Sequence, residues 1–202
     1  MSRENQRIGL WSRCAANIGP LEEKKFHGRS ARRLGDWNKK GNFTHMAPSL
    51  LYDLSQLDLH KEEFSLEDIR KFNPQRFEME QLSAILHIDY AATTVIGVKH
   101  LQENEFWARG HIPGRPLMPG VLMVEAAAQL CSFMAHKTVP EIKFMGFTKA
   151  DTVRFRGTVV PPSSLYLIAQ AAYISRRRII ANCQGICNGT LVFEAVITGM
   201  PV

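Results

Sequence analysis

Sixteen consecutive residues, Val121 to His136, contain no Gly, no Pro and four polar side chains. A run of that length is too long for a strand and reads as a helix. Its polar members, Glu125, Gln129, Ser132 and His136, fall at i, i+4, i+7 and i+11, one narrow stripe of a helical surface. A helix apolar on every other side must be wrapped by other elements, so the rest of the chain has to cover it. Immediately before it lies Gly110–Gly120, a loop with Pro113, Pro116 and Pro119 among Gly110, Gly114 and Gly120. Proline fixes φ and glycine permits positive φ, so this mixture holds one unusual backbone shape.

Three chemical functions meet in this stretch. His111 sits in the rigid loop and Glu125 in the second turn of the helix. Gly120 sits at the helix start, where backbone N–H groups lack partners and the helix dipole is positive. A base, an acid and an oxyanion-binding amide within fifteen residues make a candidate active site. The bland alternative, a tight turn with a satisfied histidine and a solvated glutamate, fits the spacing equally well.

The stretch GHIPGRPLMPGVLMVEAAAQ resembles the signature of the 3-hydroxyacyl-acyl carrier protein dehydratases of fatty-acid synthesis, a hotdog-fold family. The resemblance implies His111 as catalytic base, Glu125 as catalytic acid and Gly120 as the amide that binds the thioester carbonyl. Weaker similarity runs from about Ile69 to the C-terminus and includes VRFRGTVVPP at Val153–Pro162. The family carries a His-Arg-Tyr-Pro-Phe segment leading to an Asp. Here the segment reads Gln75-Arg76-Phe77-Glu78-Met79, so His and Asp are absent and Phe77 stands where the family has a gating Tyr. The departure bears on the substrate entrance.

The remaining pattern supplies the covering layer. Leu82, Ala84, Leu86 and Ile88 alternate with Ser83, Ile85, His87 and Asp89, and Thr93–Leu101 is rich in β-branched residues. Further strands are expected at Ile142–Thr148, Val153–Val160, Leu165–Ser175, Ile179–Cys187 and Leu191–Gly199. Ile179, Ala181, Cys183, Gly185 and Cys187 form one face of small residues that lets a helix lie close. Leu191, Phe193, Ala195 and Ile197 form the matching face of the last strand. The predicted class is α+β: a mostly antiparallel sheet wrapped around one long central helix, which the resemblance identifies as a hotdog fold. Exposed edge strands favour dimerisation by edge pairing.

Upstream, SLEDI at Ser65–Ile69 has a helix-start form with Ser65 as N-cap and Asp68 at the third helical position. Asn73–Pro74 limits that helix. The expected organisation is a basic, disordered extension over 1–45, a linker with a short helix over 46–73 and the folded domain over 74–202. Residues 1–45 carry ten Lys/Arg against four Asp/Glu and hold the entire net charge of +6; the remainder balances at fifteen of each sign. The high pI therefore gives no reason to expect nucleic-acid binding by the domain. The extension reads as a solvated tail, a targeting peptide opposed by Glu22–Glu23, or a stretch preceding a true start at Met46.

Cys14, Cys131, Cys183 and Cys187 form no C-x-x-C pair, which points to a reducing, cytoplasmic setting without disulfides or metal. No apolar run reaches membrane-span length. His136 is expected at a helix end, where the dipole favours a cation. Arg176–Arg178 reads as a basic turn. Arg154 and Arg156 share a strand face, and with that turn could form a rim that steers an acidic partner. Arg115, inside the loop, is expected to make structural hydrogen bonds.

Taken with the resemblance, these features imply dehydration of a 3-hydroxyacyl thioester to the trans-2-enoyl thioester, with no metal or redox cofactor. The partner is acyl carrier protein, which brings the substrate on phosphopantetheine. The family builds each site from two subunits, so a homodimer is implied, with a trimer of dimers as a larger option. A hotdog thioesterase and a non-catalytic acyl-binding protein are the competing classes.

Overall fold

The computed structural model describes residues 49–202. Their core is the expected helix, α2, over Gly120–Thr138, and a six-stranded antiparallel sheet curled against it. The strands are β1 (Ala84–Asp89), β2 (Thr94–Leu101), β3 (Met145–Phe155), β4 (Ser163–Ser175), β5 (Arg178–Cys187) and β6 (Thr190–Pro201), in spatial order β1-β2-β4-β5-β6-β3. A four-residue helix, α1 (Leu66–Ile69), precedes them. It starts as the sequence predicts, with a reciprocal capping box between Ser65 and Asp68. The Ser65 and Lys71 contacts hold the Asp68 carboxyl at about 2; the hydrogen bond from Lys71 contributes most.

α2 is buried because the sheet's small and branched residues let it approach. Ile179, Ala181, Cys183 and Cys187 of β5 are all at most 3 % exposed, as their alternation predicts. From the helix, Met123, Ala126, Ala127, Leu130 and Phe133 fill the interface. Gly97 on β2 sits where an added Cβ would come within 2.9 Å of Leu130 Cδ1, so a larger residue there would have to displace that side chain. Burial takes in most of the polar stripe too. Gln129, Ser132 and His136 are all buried.

His136 lies in the last turn of α2, as expected, but it is buried there. Its Nδ1–H donates to the Ser132 carbonyl at 2.8 Å, and its ring lies 6.1 Å from that of Phe72. Lys137 takes the outward place, with its Nζ 4.5 Å from the Phe64 ring centroid.

Bulges account for the strand differences. The two strands expected at Ile142–Thr148 and Val153–Val160 are one, β3. Its register against β6 slips twice, between Phe147 and Lys149 and between Asp151 and Arg154, and Thr152 takes φ 49°. A bulge bends a strand without ending its pairing. Beyond Phe155 the chain leaves the sheet, so Val153, Phe155 and Val159 share no strand face. In β1 a slip between Ile85 and His87 puts Leu82, Ile85 and Ile88 on the helix side, and Ala84 and Leu86 on the other. In β6 a slip opposite Gly185 and Ile186 turns Val192 and Phe193 inward together and sends Leu191 to the outer face.

That outer face is not bare. Leu51, Tyr52, Leu54, Leu57 and Leu59 pack on Ala84, Leu86, Ile96, Val98, Ile168 and Ile186. Gln184 pins this strap by accepting from Leu51 N at 2.8 Å and donating to Ser49 O at 3.1 Å. Part of the segment read from sequence as a linker is thus a packed layer. The reading of residues 1–45 falls outside the described residues. A chain beginning at Met46 is expected to melt with the full chain. A chain beginning at Lys61 should melt lower by more than about 5 °C, because five apolar side chains lose their seat. Calorimetric scans of the three proteins check this, and equal melting of all three would show the strap to be dispensable.

The two sheet edges differ. At β1, Ile85 exchanges backbone hydrogen bonds with Phe64, and Ile88 N donates to Glu63 Oε2 at 3.0 Å. At β3, pairing among the described residues is on the β6 side alone. Phe147, Val153 and Phe155 of this open edge are exposed, as are Phe144 before it and Val121 at the start of α2.

Candidate active site

The loop before α2 has the shape its composition demands. Arg115 N donates to Ile112 O at 3.0 Å, closing a turn with Pro113 and Gly114 at its centre. Gly114 adopts φ +78°, the positive value that a type II turn requires after proline. Arg115 serves this turn through its backbone, accepting also from Leu117 N at 2.8 Å. The structural hydrogen bonds expected of Arg115 thus come from its backbone, and among the described residues its guanidinium has no hydrogen-bond partner. Met118 N donates to Val159 O at 2.9 Å and ties the loop's end to the segment after β3.

This fixes His111. Its ring nitrogen Nδ1 lies 2.9 Å from the Leu117 carbonyl. A carbonyl only accepts, so Nδ1 carries a proton, and Nε2 is the nitrogen that can act as a base. The residue is exposed. His111 is thus an exposed imidazole oriented by its own loop through Nδ1, with Nε2 left unengaged among the described residues.

Gly120 opens α2 as its first residue, after Pro119. An added Cβ there would stand 2.7 Å from the Phe155 ring, which stacks in turn on Phe193 with centroids 5.9 Å apart. Only glycine fits beneath that ring without a shift. The first-turn N–H groups of a helix have no intrahelical acceptor, so this end can bind an oxyanion.

Glu125 lies one turn further on and half buried. Gln129, four residues along the same stripe, donates Nε2–H to Glu125 Oε1 at 2.8 Å. The same amide donates to Met79 O at 2.6 Å, and its Oε1 accepts from Gln81 N at 2.9 Å. Oε1 of Glu125 is thereby held, and Oε2 is left for a ligand. The polar spacing in the sequence pointed to Gln129, but not to this role. Glu125 opens on a cavity of about 80 Å³ between α2 and the sheet. Gln75, Ser132, Phe144, Phe147 and Ile197 are among its walls, and His111 is not. Within one chain the base and the acid therefore face different spaces.

The outlying candidates are placed as follows. Phe77 is 85 % exposed in a single 3-10 turn, with φ 57°, an unusual value for an aromatic residue. Arg154 is exposed on β3 opposite Glu194. Arg156 lies past the end of β3, so the two do not share a strand face as expected, and its Nε is paired with the Glu194 carboxylate. Arg176 and Arg177 form the two-residue turn between β4 and β5. There Arg176 pairs with Glu141 at 2.6 Å, and Arg178 lies 5.2 Å from the Tyr173 ring. Most of the expected basic rim is thus already partnered, which leaves Arg154 and Arg177.

Cys131, Cys183 and Cys187 are buried thiols. Cys131 and Cys183 approach to 3.5 Å, and the Cys131 hydrogen bond together with burial pushes the Cys183 thiol up. Cys14 lies outside the described residues. Among them no helix is long and apolar enough to cross a membrane.

One buried helix wrapped by an antiparallel sheet in the order β1-β2-β4-β5-β6-β3 is a hotdog fold. Residues 73–196 match the family model described as FabA-like domain, and the chain belongs to that family. Solved structures share the fold at low identity. The dehydratase heterocomplex ApeI:P of Xenorhabdus doucetiae is 13 % identical at a TM-score of 0.57, over 66 % of this chain and 90 % of that one. Cj0977, a sigma28-regulated virulence protein of Campylobacter jejuni, is 15 % identical at 0.52, over 70 % and 95 %. A hypothetical thioesterase of Streptococcus pneumoniae with coenzyme A is 9 % identical at 0.51, over 68 % and 97 %. Proteins described as dehydratase and as thioesterase share this fold, so the fold does not choose between them.

Proposed function

We propose that the protein is a 3-hydroxyacyl thioester dehydratase acting on substrates carried by acyl carrier protein. The observation that carries this reading is the division of labour in the site: an imidazole oriented through Nδ1 on one side and a cavity-facing carboxyl on the other. Elimination needs a base at the α-carbon and an acid at the β-hydroxyl. Hydrolysis needs a water aimed at the carbonyl. In the proposed reaction His111 Nε2 takes the α-proton, and charge builds on the thioester oxygen. The Gly120 N–H stabilises that oxyanion. Glu125 gives its Oε2 proton to the β-hydroxyl, the C–O bond breaks, and water leaves as the double bond forms. No step calls for a metal or redox group. Of the basic rim, Arg154 and Arg177 are the arginines whose side chains have no partner among the described residues and would meet an acidic carrier, and exposed Phe77 would border the entrance.

His111 and the Glu125 cavity face different spaces, so the site is proposed to form between two copies joined at the open β3 edge. Exposed Val121, Phe147 and Phe155 would be covered there. Refolding His111→Ala chains together with Glu125→Ala chains should then restore activity in mixed dimers, up to about a quarter of wild type from statistical pairing. A verified mixed dimer without activity would place base and acid in one chain. The reaction itself is tested by following enoyl absorbance and free thiol in parallel. Enoyl formation with an intact thioester supports dehydration, and thiol release without it would make the protein a thioesterase.

A further inference from the structure

We propose that the cavity behind Glu125 takes a short acyl chain with an oxygen at its far end, and that the Ser132 hydroxyl binds that oxygen. This deepens the dehydratase reading and rests on it for the place of the β-carbon at Glu125.

Ser132 is 6 % exposed and lines the cavity. A serine inside a helix ordinarily points to solvent or returns its hydroxyl to the carbonyl four residues back. Ser132 does neither. Its Oγ has no hydrogen-bond partner among the described residues, while its backbone carbonyl accepts from His136. A buried hydroxyl left unpaired costs stability, so it calls for a partner from a ligand or a water.

The other polar side chains of the lining are committed elsewhere. Gln129 engages Gln81, Met79 and Glu125. Glu125 Oε2 is kept for the β-hydroxyl. The Cys131 sulfur faces Cys183. Gln75 is half-buried, with its Oε1 closed off from water. Its Nε2 is the other side-chain donor of the lining without a partner among the described residues, and it serves below as the control.

The position of Ser132 sets the length of the chain. It lies seven residues beyond Glu125 on the same stripe. At about 1.5 Å per residue that is about 10 Å of helix axis. A hydrogen bond of about 2.8 Å at each end leaves about 5 Å between the β-hydroxyl oxygen and the distal one. The volume agrees, since a cavity of about 80 Å³ holds roughly three groups of water's size beyond the β-carbon. Both point to about six carbons in all. The cavity ends there. His136, the next member of the stripe, is not among its walls and packs on Phe72 instead. Between the two polar ends Ala128, Phe147 and Ile197 offer apolar contact. An alkyl chain filling this space would cover Ser132 and leave its hydroxyl unpaired. A chain ending in a hydroxyl or carbonyl oxygen pairs it.

The full chain is titrated by calorimetry with three non-hydrolysable ligands, the amide analogues of hexanoyl-, 6-hydroxyhexanoyl- and decanoyl-pantetheine. Wild type should bind the 6-hydroxy form about tenfold more tightly than hexanoyl, since a site built for a hydroxyl rejects its absence. Decanoyl should bind more weakly than hexanoyl. Ser132→Ala should fold, because alanine suits a helix interior. It should erase the tenfold ratio without lowering hexanoyl affinity, whereas Gln75→Leu should leave the ratio intact. A wild type without preference, or a ratio unchanged in Ser132→Ala, would overturn the assignment. In the second case loss of the ratio in Gln75→Leu would give the role to Gln75 Nε2. Decanoyl binding as tightly as hexanoyl would overturn the length limit. Binding needs no turnover, so a wild type that prefers the 6-hydroxy form yet makes no enoyl product would count against the dehydratase reading alone. Enoyl formation without that preference would count against Ser132 alone.

Discussion

Changing His111 to Ala or Glu125 to Gln is expected to lower kcat for the 3-hydroxyacyl thioester by about 10²–10⁴-fold, with the melting temperature nearly unchanged. Stability should hold because the His111 side chain is exposed and, among the described residues, bonds just the Leu117 carbonyl. Gln at 125 keeps the shape and can still meet Gln129. The two variants should fail differently. Without His111, exchange of the α-hydrogen with solvent is lost together with dehydration. Without the acid, α-proton removal survives, so Glu125→Gln should still exchange that hydrogen. Monitoring deuterium uptake by mass spectrometry alongside enoyl absorbance separates the two. Exchange surviving in His111→Ala would mean that another group is the base.

Why some of this was legible from the chain and some was not follows from the range of the forces involved. The central helix is set by a local pattern, an unbroken apolar run after Pro and Gly, and it formed where expected. The α1 cap rests on Ser65 and Asp68, three residues apart, and is equally local. The Pro113-Gly114 turn likewise needs only its own residues. The bulges were hidden, because a slip opposite Leu86 or Val192 depends on the partner strand and not on alternation. The strap was hidden for a related reason. Leu51, Leu54, Leu57 and Leu59 have no strong period of their own, and they become a layer only because the far sheet face offers Ile96, Val98 and Ile168. In the site, the residue types and their order were readable. The orientation of His111 by Leu117 and the hold of Gln129 on Glu125 span only six and four residues, yet no residue pattern announces them, and Gln129 is itself set by Met79 and Gln81, 50 and 48 residues upstream.

The contribution of the Gly120 amide can be isolated by comparing two substitutions at one position. Gly120→Ala keeps the N–H but pushes a methyl into the Phe155 ring, where its Cβ would stand 2.7 Å away. Gly120→Pro brings a similar collision and removes the N–H as well. The backbone tolerates proline there. Position 120 is the first helical residue, where proline's missing donor has no intrahelical acceptor to serve. Pro119, with φ −59° and ψ 130°, already has the extended geometry required before a proline. Both variants should therefore lose similar melting temperature. Their kcat values should part, with Gly120→Pro lower than Gly120→Ala by about 10²–10³-fold, the scale of removing one oxyanion donor. A second change, Phe155→Ala, relieves the collision and should return stability to both while rescuing turnover only in Gly120→Ala. Equal kcat for Gly120→Ala and Gly120→Pro would show that the thioester oxygen is held by other donors, and that Gly120 serves only to let α2 pass beneath the Phe155 ring.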